Sequence, residues 1–180
     1  FLLILLLIIY VPIFSEEIQF QAESMSGNAK NKNSVTILEG NAKVITETME
    51  ISADKIELSG KDFRIIKAYG NIIGSNKESK LDFSAGFMNY DRETKIAILE
   101  NNVSLTDYEN DIKANAQIIE YDQEKEIAIM QINVSIVQKD NTCTAAYTIY
   151  KKSEKTLNMS GNPQIKQGSD TFNAQTISLN

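Results

Sequence analysis

Histidine and tryptophan are absent from this 180-residue chain, and cysteine occurs once. Histidine is the commonest general base and metal ligand, so its absence excludes the familiar catalytic triads and histidine-based metal sites. The single Cys143 cannot form an internal disulfide or a zinc cluster, and we interpret it as a small buried hydrophobic residue. We therefore expect no metal and no cofactor.

Basic clusters are also missing. The chain has 18 Lys and Arg residues against 24 Asp and Glu, and the basic residues are scattered. Without a basic patch to neutralise phosphates, we expect no nucleic-acid partner. Carboxylates are plentiful, but they stand in turns or on the polar side of alternating segments, where a solvated role is expected, and we predict that the protein is not an enzyme. The candidates for a catalytic pair of carboxylic acids, as in glycosidases, are Glu47, Glu50, Asp54, Asp107, Glu109 and Asp111.

The one long hydrophobic run is Phe1–Phe14, which ends at Ser15-Glu16-Glu17. It is short for a membrane span and suits the apolar core of a secretory signal. We predict that residues 1–15 are the remnant of a signal peptide, or alternatively a membrane anchor. Residues 16–180 are predicted to form one exported domain.

The strongest positive signal is an internal repeat. An asparagine returns at spacings of 30, 31, 31 and 29 residues, and an alanine recurs in phase with it. Self-similarity at this period indicates one supersecondary unit used several times, each unable to bury its apolar face alone. The asparagines are Asn41, Asn71, Asn102, Asn133 and Asn162; the alanines are Ala22, Ala53, Ala85, Ala114, Ala145 and Ala174.

Each unit reads as three short β-strands, which predicts about 15 strands and no helix. Apolar residues alternate with polar ones on both sides of the asparagine, so one face of each strand should meet an apolar interior. Four and six residues before the asparagine, the predicted inward residues are Ile96, Ile98, Ile127 and Ile129. One and three residues after it, they are Val103, Leu105, Val134 and Ile136.

The alanine strand has a different pattern. Apolar residues stand two positions before the alanine, at Ile51, Phe83 and Ile112, and three positions after it in most copies. A change from even to odd spacing switches the inward face, which requires a bulge or a bend. We predict that each alanine strand turns a corner from one sheet into another.

These motifs resemble the OstA-like domain of the lipopolysaccharide-transport proteins, closest to the periplasmic protein A family. The resemblance runs in register over residues 18–180. The residues that carry it are Gly40-Asn41 with Val44, Ile51-Ser-Ala53-Asp54 and Ala68-Tyr-Gly70-Asn71.

The resemblance implies an all-β jellyroll with two antiparallel sheets around an open apolar groove. It implies a periplasmic protein that conveys lipopolysaccharide, or a related glycolipid, with the acyl chains in the groove. The implied partners are an inner-membrane anchor protein, an outer-membrane translocon and further copies of the chain, joined head to tail through edge strands. Candidate end surfaces are Ile18–Ala22 and Phe172–Leu179. The predicted lipid-binding residues are Ile51, Phe83, Ile96, Ile98, Val103, Leu105, Ile112, Ile127, Ile129, Val134 and Ile136.

Three alternatives remain open at the level of sequence. The chain could be the inner-membrane-anchored component of the same export system, with the apolar run as its anchor. It could be a right-handed parallel β-helix that acts as an exported adhesin or scaffold. A carbohydrate-active enzyme on a β scaffold is the third reading, although no carboxylate pair identifies itself.

Overall fold

The computed structural model describes residues 18–27 and 35–180, so the predicted signal segment 1–15 lies outside the described residues. The described part contains fourteen β-strands and a single 3₁₀ turn at Lys61–Phe63, and none of its helices is long and apolar enough to cross a membrane. The strands are β1 Gln19–Gln21, β2 Ser24–Gly27, β3 Thr36–Ile45, β4 Met49–Ser59, β5 Ile65–Asn76, β6 Leu81–Asp91, β7 Ile96–Asp107, β8 Ile112–Asp122, β9 Ile127–Gln138, β10 Asn141–Lys151, β11 Thr156–Ser160, β12 Gln164–Gln167, β13 Asp170–Asn173 and β14 Thr176–Leu179.

All fourteen strands belong to one antiparallel sheet. From β3 to β10 each strand pairs with the next along the chain, and the sheet divides at both ends. At the first end β3 pairs with both β1 and β2; at the other end β10 pairs with both β11 and β12. Antiparallel pairing rules out the parallel β-helix considered from the sequence. The prediction of an antiparallel all-β jellyroll is confirmed, but each 30-residue unit consists of two long strands rather than three short ones.

Every long strand bends near its middle, and the bends divide the sheet into two halves. We call the line of bends the spine. Half A is β1, β12, β13 and residues 42–53, 72–85, 103–116 and 134–145; half B is β2, β14 and residues 36–39, 55–69, 87–100, 118–131 and 147–160.

The repeated asparagines build the spine. At each of the five positions the asparagine and the residue before it both have positive φ, the left-handed region that asparagine and glycine tolerate best. In β7, Asn101 and Asn102 stand opposite the single residue Gln117 of β8. Two residues against one is a β-bulge, which bends the strand that contains it. In β3, β5, β7 and β9 the asparagine therefore marks a bend within a strand, where the sequence had suggested a hinge between two strands. Asn162 does lie between two strands, β11 and β12.

The alanine strands bend at the same place as the asparagine strands beside them, but they have one residue fewer in the bend. In β4 the buried residues Ile51 and Ala53 are followed by Ile56, so the inward face switches as predicted. In β8 the switch follows Ala116 and leads to Ile119, so Ala116, and not the expected Ala114, is the equivalent residue. The extra residue of each bulge lies in the asparagine strand and not in the alanine strand.

Candidate functional site

The inner faces of halves A and B pack against each other and form one apolar cluster along the whole sheet. Of the predicted lining residues, seven are in this interior, none more than 9% exposed: Ile51, Phe83, Val103, Leu105, Ile112, Val134 and Ile136. The ring of Phe83 covers Gly74 in the neighbouring strand, where any side chain would collide with it. The ring can approach this closely because Gly74 has no side chain.

The other four predicted lining residues, Ile96, Ile98, Ile127 and Ile129, were assigned to the wrong face. They are half-buried and alternate with the buried residues Ala97, Leu99, Ala128 and Met130. The bulge explains the error, because β7 continues through Asn101 and Asn102 as one strand and keeps an even spacing from Leu99 to Val103. The isoleucines lie on the opposite face of half B.

A row of three tyrosines lines the inner face of half B, and the sequence interpretation missed it. Tyr90, Tyr121 and Tyr150 are buried and alternate across the sheet with Ala97 and Ala128. Their spacings of 31 and 29 residues follow the same repeat, which is the signal that could have revealed them. Tyrosine combines an apolar ring with a polar hydroxyl, so it suits a boundary between an apolar interior and water.

An apolar pocket opens where the sheet divides at β10. Its volume is about 290 Å³, and its walls come from both halves: Ile136, Gln138, Asn141, Cys143, Leu157, Ile165, Gln167, Phe172 and Leu179. Cys143 is buried there, and burial raises the pKa of its thiol. We call this pocket the mouth, because it connects the buried interior with solvent.

Among residues 18–27 and 35–180, the strands at the ends of the sheet have unpaired edges. β1 and β2 are exposed at one end, and β13 and β14 form the other. The prediction that Ile18–Ala22 and Phe172–Leu179 lie at the ends is confirmed by this topology, and β2 is an additional edge strand. Unpaired edges can add strands from another chain.

The hairpin turns form two rims away from the spine. Rim A consists of turns 46–48, 77–80, 108–111 and 139–140; rim B consists of turns 60–64, 92–95, 123–126 and 152–155. Polar side chains connect the rims. Gln123 Nε2 of rim B donates to Glu78 Oε2 of rim A at 3.2 Å, and the Tyr121 hydroxyl lies beside Ser79 without a well-formed hydrogen bond.

The most buried of these contacts is a cluster around Asp107, which is 0% exposed. Tyr150 donates its hydroxyl proton to Asp107 Oδ2 at 2.8 Å, and Asn110 Nδ2 donates to the same carboxylate at 2.9 Å. Lys152 Nζ lies 3.6 Å from Asp107 Oδ1 and also contacts Glu109. Asp107 and Glu109 were expected on a solvated face; for Asp107 that expectation is wrong, because it ends β7 on the inner face.

Opposing effects set the protonation states of this cluster. Burial acts to raise the pKa of Asp107, but hydrogen bonds from Asn110 and Tyr150 and the Lys152 charge outweigh it and lower the pKa. Burial acts to lower the pKa of Lys152, but the contact with Glu109 and the Asp107 charge raise it. Burial and the neighbouring Asp107 raise the pKa of Tyr150. The aspartate and lysine are therefore charged and the tyrosine is neutral at pH 7.

Comparison with known proteins identifies a family and similar solved structures. The sequence model of the family described as LptA/(LptD N-terminal domain) LPS transport protein matches residues 21–156, more than half of the chain. The chain is also similar to the crystal structure of LptH, described as the LptA homologous periplasmic component of the lipopolysaccharide transport device from Pseudomonas aeruginosa. The identity is 14% over 92% of this chain and 95% of that one, and the TM-score of 0.35 is too low to support an argument. No curated protein matches the chain.

Proposed function

The chain belongs to the LptA/(LptD N-terminal domain) LPS transport protein family, and from this premise we propose that it conveys lipopolysaccharide, or a related glycolipid, across the periplasm with the acyl chains between halves A and B. The observation that supports the proposal is the continuity of the apolar interior. It runs from β3 to β11 and opens at the mouth, whose walls include Ile136, Leu157 and Phe172.

The free-energy scale is consistent with a carrier of this kind. Each methylene group withdrawn from water contributes about 0.8 kcal/mol, so a chain of about twelve carbons gains roughly 10 kcal/mol on burial. The repeat presents similar aliphatic side chains at each step along the sheet, so no position binds a chain much more tightly than the next. A lining of this kind shields the chains and still lets them move.

Edge strands are the proposed means of contact with partners. Addition of a strand to an exposed sheet edge uses main-chain hydrogen bonds, and β1 and β2 at one end, with β13 and β14 at the other, offer such edges. We propose that further copies, an inner-membrane anchor protein and an outer-membrane translocon pair at these ends. In such a chain of domains the interior of each copy continues into the next.

Photo-crosslinking in growing cells tests the carrier role. Phe172 lines the mouth and is 52% exposed, so p-benzoylphenylalanine fits there with little disturbance. Phe87 is the matched control, because it is half-buried on the opposite face of half B, where it packs against Tyr69. We expect lipid adducts at position 172 and none at 87, with the cargo identified by the mass of the adduct.

Two outcomes contradict the proposal. If neither position captures lipid while both variants are exported normally, the chain is not a lipid carrier. If both positions capture lipid equally, the label reports general contact with membranes and the interior has no special role.

A further inference from the structure

The interior is filled by the protein's own side chains. Tyr90, Tyr150, Met88, Ile119 and Met130 are each no more than 2% exposed between halves A and B. Protein interiors are close-packed, so an acyl chain cannot enter this region unless the two halves move apart. The described structure is therefore a closed state of the proposed carrier.

Backbone hydrogen bonds determine where the halves can separate. At the spine the strands run continuously from one half into the other, so the halves stay joined there. The turns of each rim are linked along that rim, for example Tyr108 N to Lys80 O in rim A and Gln123 N to Lys95 O in rim B. Within residues 18–27 and 35–180, no backbone hydrogen bond joins rim A to rim B.

In the part of the chain that the structure describes, the rims are joined by side chains and not by the backbone. We call this boundary the seam: it contains the Glu78–Gln123 hydrogen bond, the bonds from Tyr150 to Asp107 and from Asn110 to Tyr150, and the contacts of Lys152 with Asp107 and Glu109. Side-chain contacts can break without unfolding a sheet. The spine thus acts as a hinge and the seam as the edge that opens.

The composition of the seam favours a reversible contact over a purely stabilising one. A buried ion pair such as Asp107–Lys152 often contributes no more stability than apolar residues of the same size, because both charges lose hydration. When the rims separate, water and a polar head group can solvate the same charges. Separating the rims therefore costs less free energy when the seam is charged than it would if the seam were apolar.

The seam also reaches the mouth. Gln138 lines the pocket, and its Nε2 donates to the backbone oxygen of Asn110 at 2.9 Å, while the Asn110 side chain bonds Tyr150 and Asp107. Separation at this cluster would extend the mouth along the tyrosine row. Chains could then lie inside while the head group stays in water between the rims.

Resting on the proposed function, we infer that lipid enters sideways by parting of rim A from rim B along the seam, with the Asp107–Tyr150–Lys152 cluster as the latch that keeps the empty protein closed. The alternative route is threading through the ends, which needs no opening of the seam.

A reversible cross-link distinguishes the two routes. Glu78→Cys with Gln123→Cys places two thiols across the seam, and a short bismaleimide with an internal disulfide locks it until reductant is added. Lys95→Cys with Gln123→Cys is the matched control, because its cross-link lies along rim B and leaves the seam unlocked. Cys143 is buried and should not react, which mass spectrometry of the full chain verifies.

Binding of fluorescent lipopolysaccharide to the purified protein is the measurement. We expect the seam cross-link to weaken binding roughly tenfold or more, equivalent to about 1.4 kcal/mol, the reductant to restore it and the control cross-link to leave it unchanged. Equal binding by the locked and unlocked proteins overturns the sideways route and leaves the carrier role intact. Absence of binding by the uncross-linked proteins overturns the carrier role itself.

A second variant tests the latch. Asp107→Asn with Lys152→Met removes both charges and keeps the volumes similar, and we expect faster loading of the same lipid with the circular dichroism spectrum unchanged. An unchanged loading rate in a folded variant means that the cluster is not the latch.

Discussion

At the scale of single residues, the spine depends on backbone conformations that few residue types adopt easily. Gly40, Gly70, Asn101 and Gly161 fill the position before the repeated asparagine, and all have positive φ. The fourth copy along the chain has Ile132 there, with φ of 64° and 52% of its surface exposed. A β-branched residue in the left-handed region is strained, and its exposure returns little burial energy.

Ile132→Gly should therefore stabilise the protein. Relief of the left-handed strain contributes about 1–2 kcal/mol, and the greater chain entropy of glycine offsets roughly 0.5–1 kcal/mol of it, so we expect a net gain of roughly 1 kcal/mol in the free energy of unfolding by urea. Ile73→Gly is the control, since Ile73 is exposed in a strand without positive φ. The control should lose stability; a loss in Ile132→Gly as well would contradict the strain argument.

The Arg64–Asp91 pair gives a prediction for pH. Arg64 donates three hydrogen bonds to the Asp91 carboxylate, two from Nε at 2.9 and 3.2 Å and one from Nη2 at 2.7 Å, and they lower the pKa of that carboxyl to about 2. A lowered pKa in the folded state means that the stabilisation is complete above about pH 4 and is lost as the pH falls through about 2.

Asp91→Asn should reduce the free energy of unfolding at pH 7 by about 1 kcal/mol, a value discounted for the exposure of Arg64. The difference from the parent protein should shrink as the pH falls from 4 towards 2. Chemical unfolding across this pH range measures it, and Asp170→Asn on an exposed edge strand controls for the loss of one charge. A difference that stays constant over the whole range would mean that the pair is not responsible.

At the scale of strands, the sequence predicted the repeat, the β class and the corner in each alanine strand, because these depend on local spacing. It did not predict which face of β7 and β9 points inward. That choice depends on the count of residues across the bulge, and Ile98 looked more suited to a core than Ala97. The tyrosine row could have been found from its repeat spacings of 31 and 29 residues, but it was missed. The Asp107 cluster could not be predicted from local spacing, because Tyr150 and Asp107 are 43 residues apart along the chain.

The assignment of faces can be tested with adjacent residues of β7. Leu99 is 2% exposed on the inner face, while Ile98 is half-buried on the other face. Leu99→Ala should cost about 3 kcal/mol of unfolding free energy, because it leaves a cavity. Ile98→Ala should cost about 1 kcal/mol. Equal costs, or a larger cost at position 98, would contradict the assignment of faces.

At the scale of the whole molecule, the sheet is long, and from β3 to β10 its strands pair in the order of the chain. Both ends of the sheet are edge strands. Because β13 and β14 are exposed edges, the proposed head-to-tail assembly should be sensitive to charge there. Asn173→Lys with Thr176→Lys should weaken self-association roughly tenfold, as measured by analytical ultracentrifugation. Asn115→Lys with Thr144→Lys adds the same charge to exposed positions on interior strands and should leave association unchanged. Equal weakening by both pairs would mean that net charge, and not the edge, is responsible.

The repeating hairpin also works as a measure of length. Each 30-residue unit adds two strands, and strands lie about 4.8 Å apart, so one unit lengthens the sheet by roughly 10 Å. The eleven strands of the main hydrogen-bonded path, from β1 to β14, span roughly 50 Å. A wider gap between membranes could be matched by adding hairpins to one chain or by adding copies end to end, since neither change alters the cross-section along which a lipid would travel.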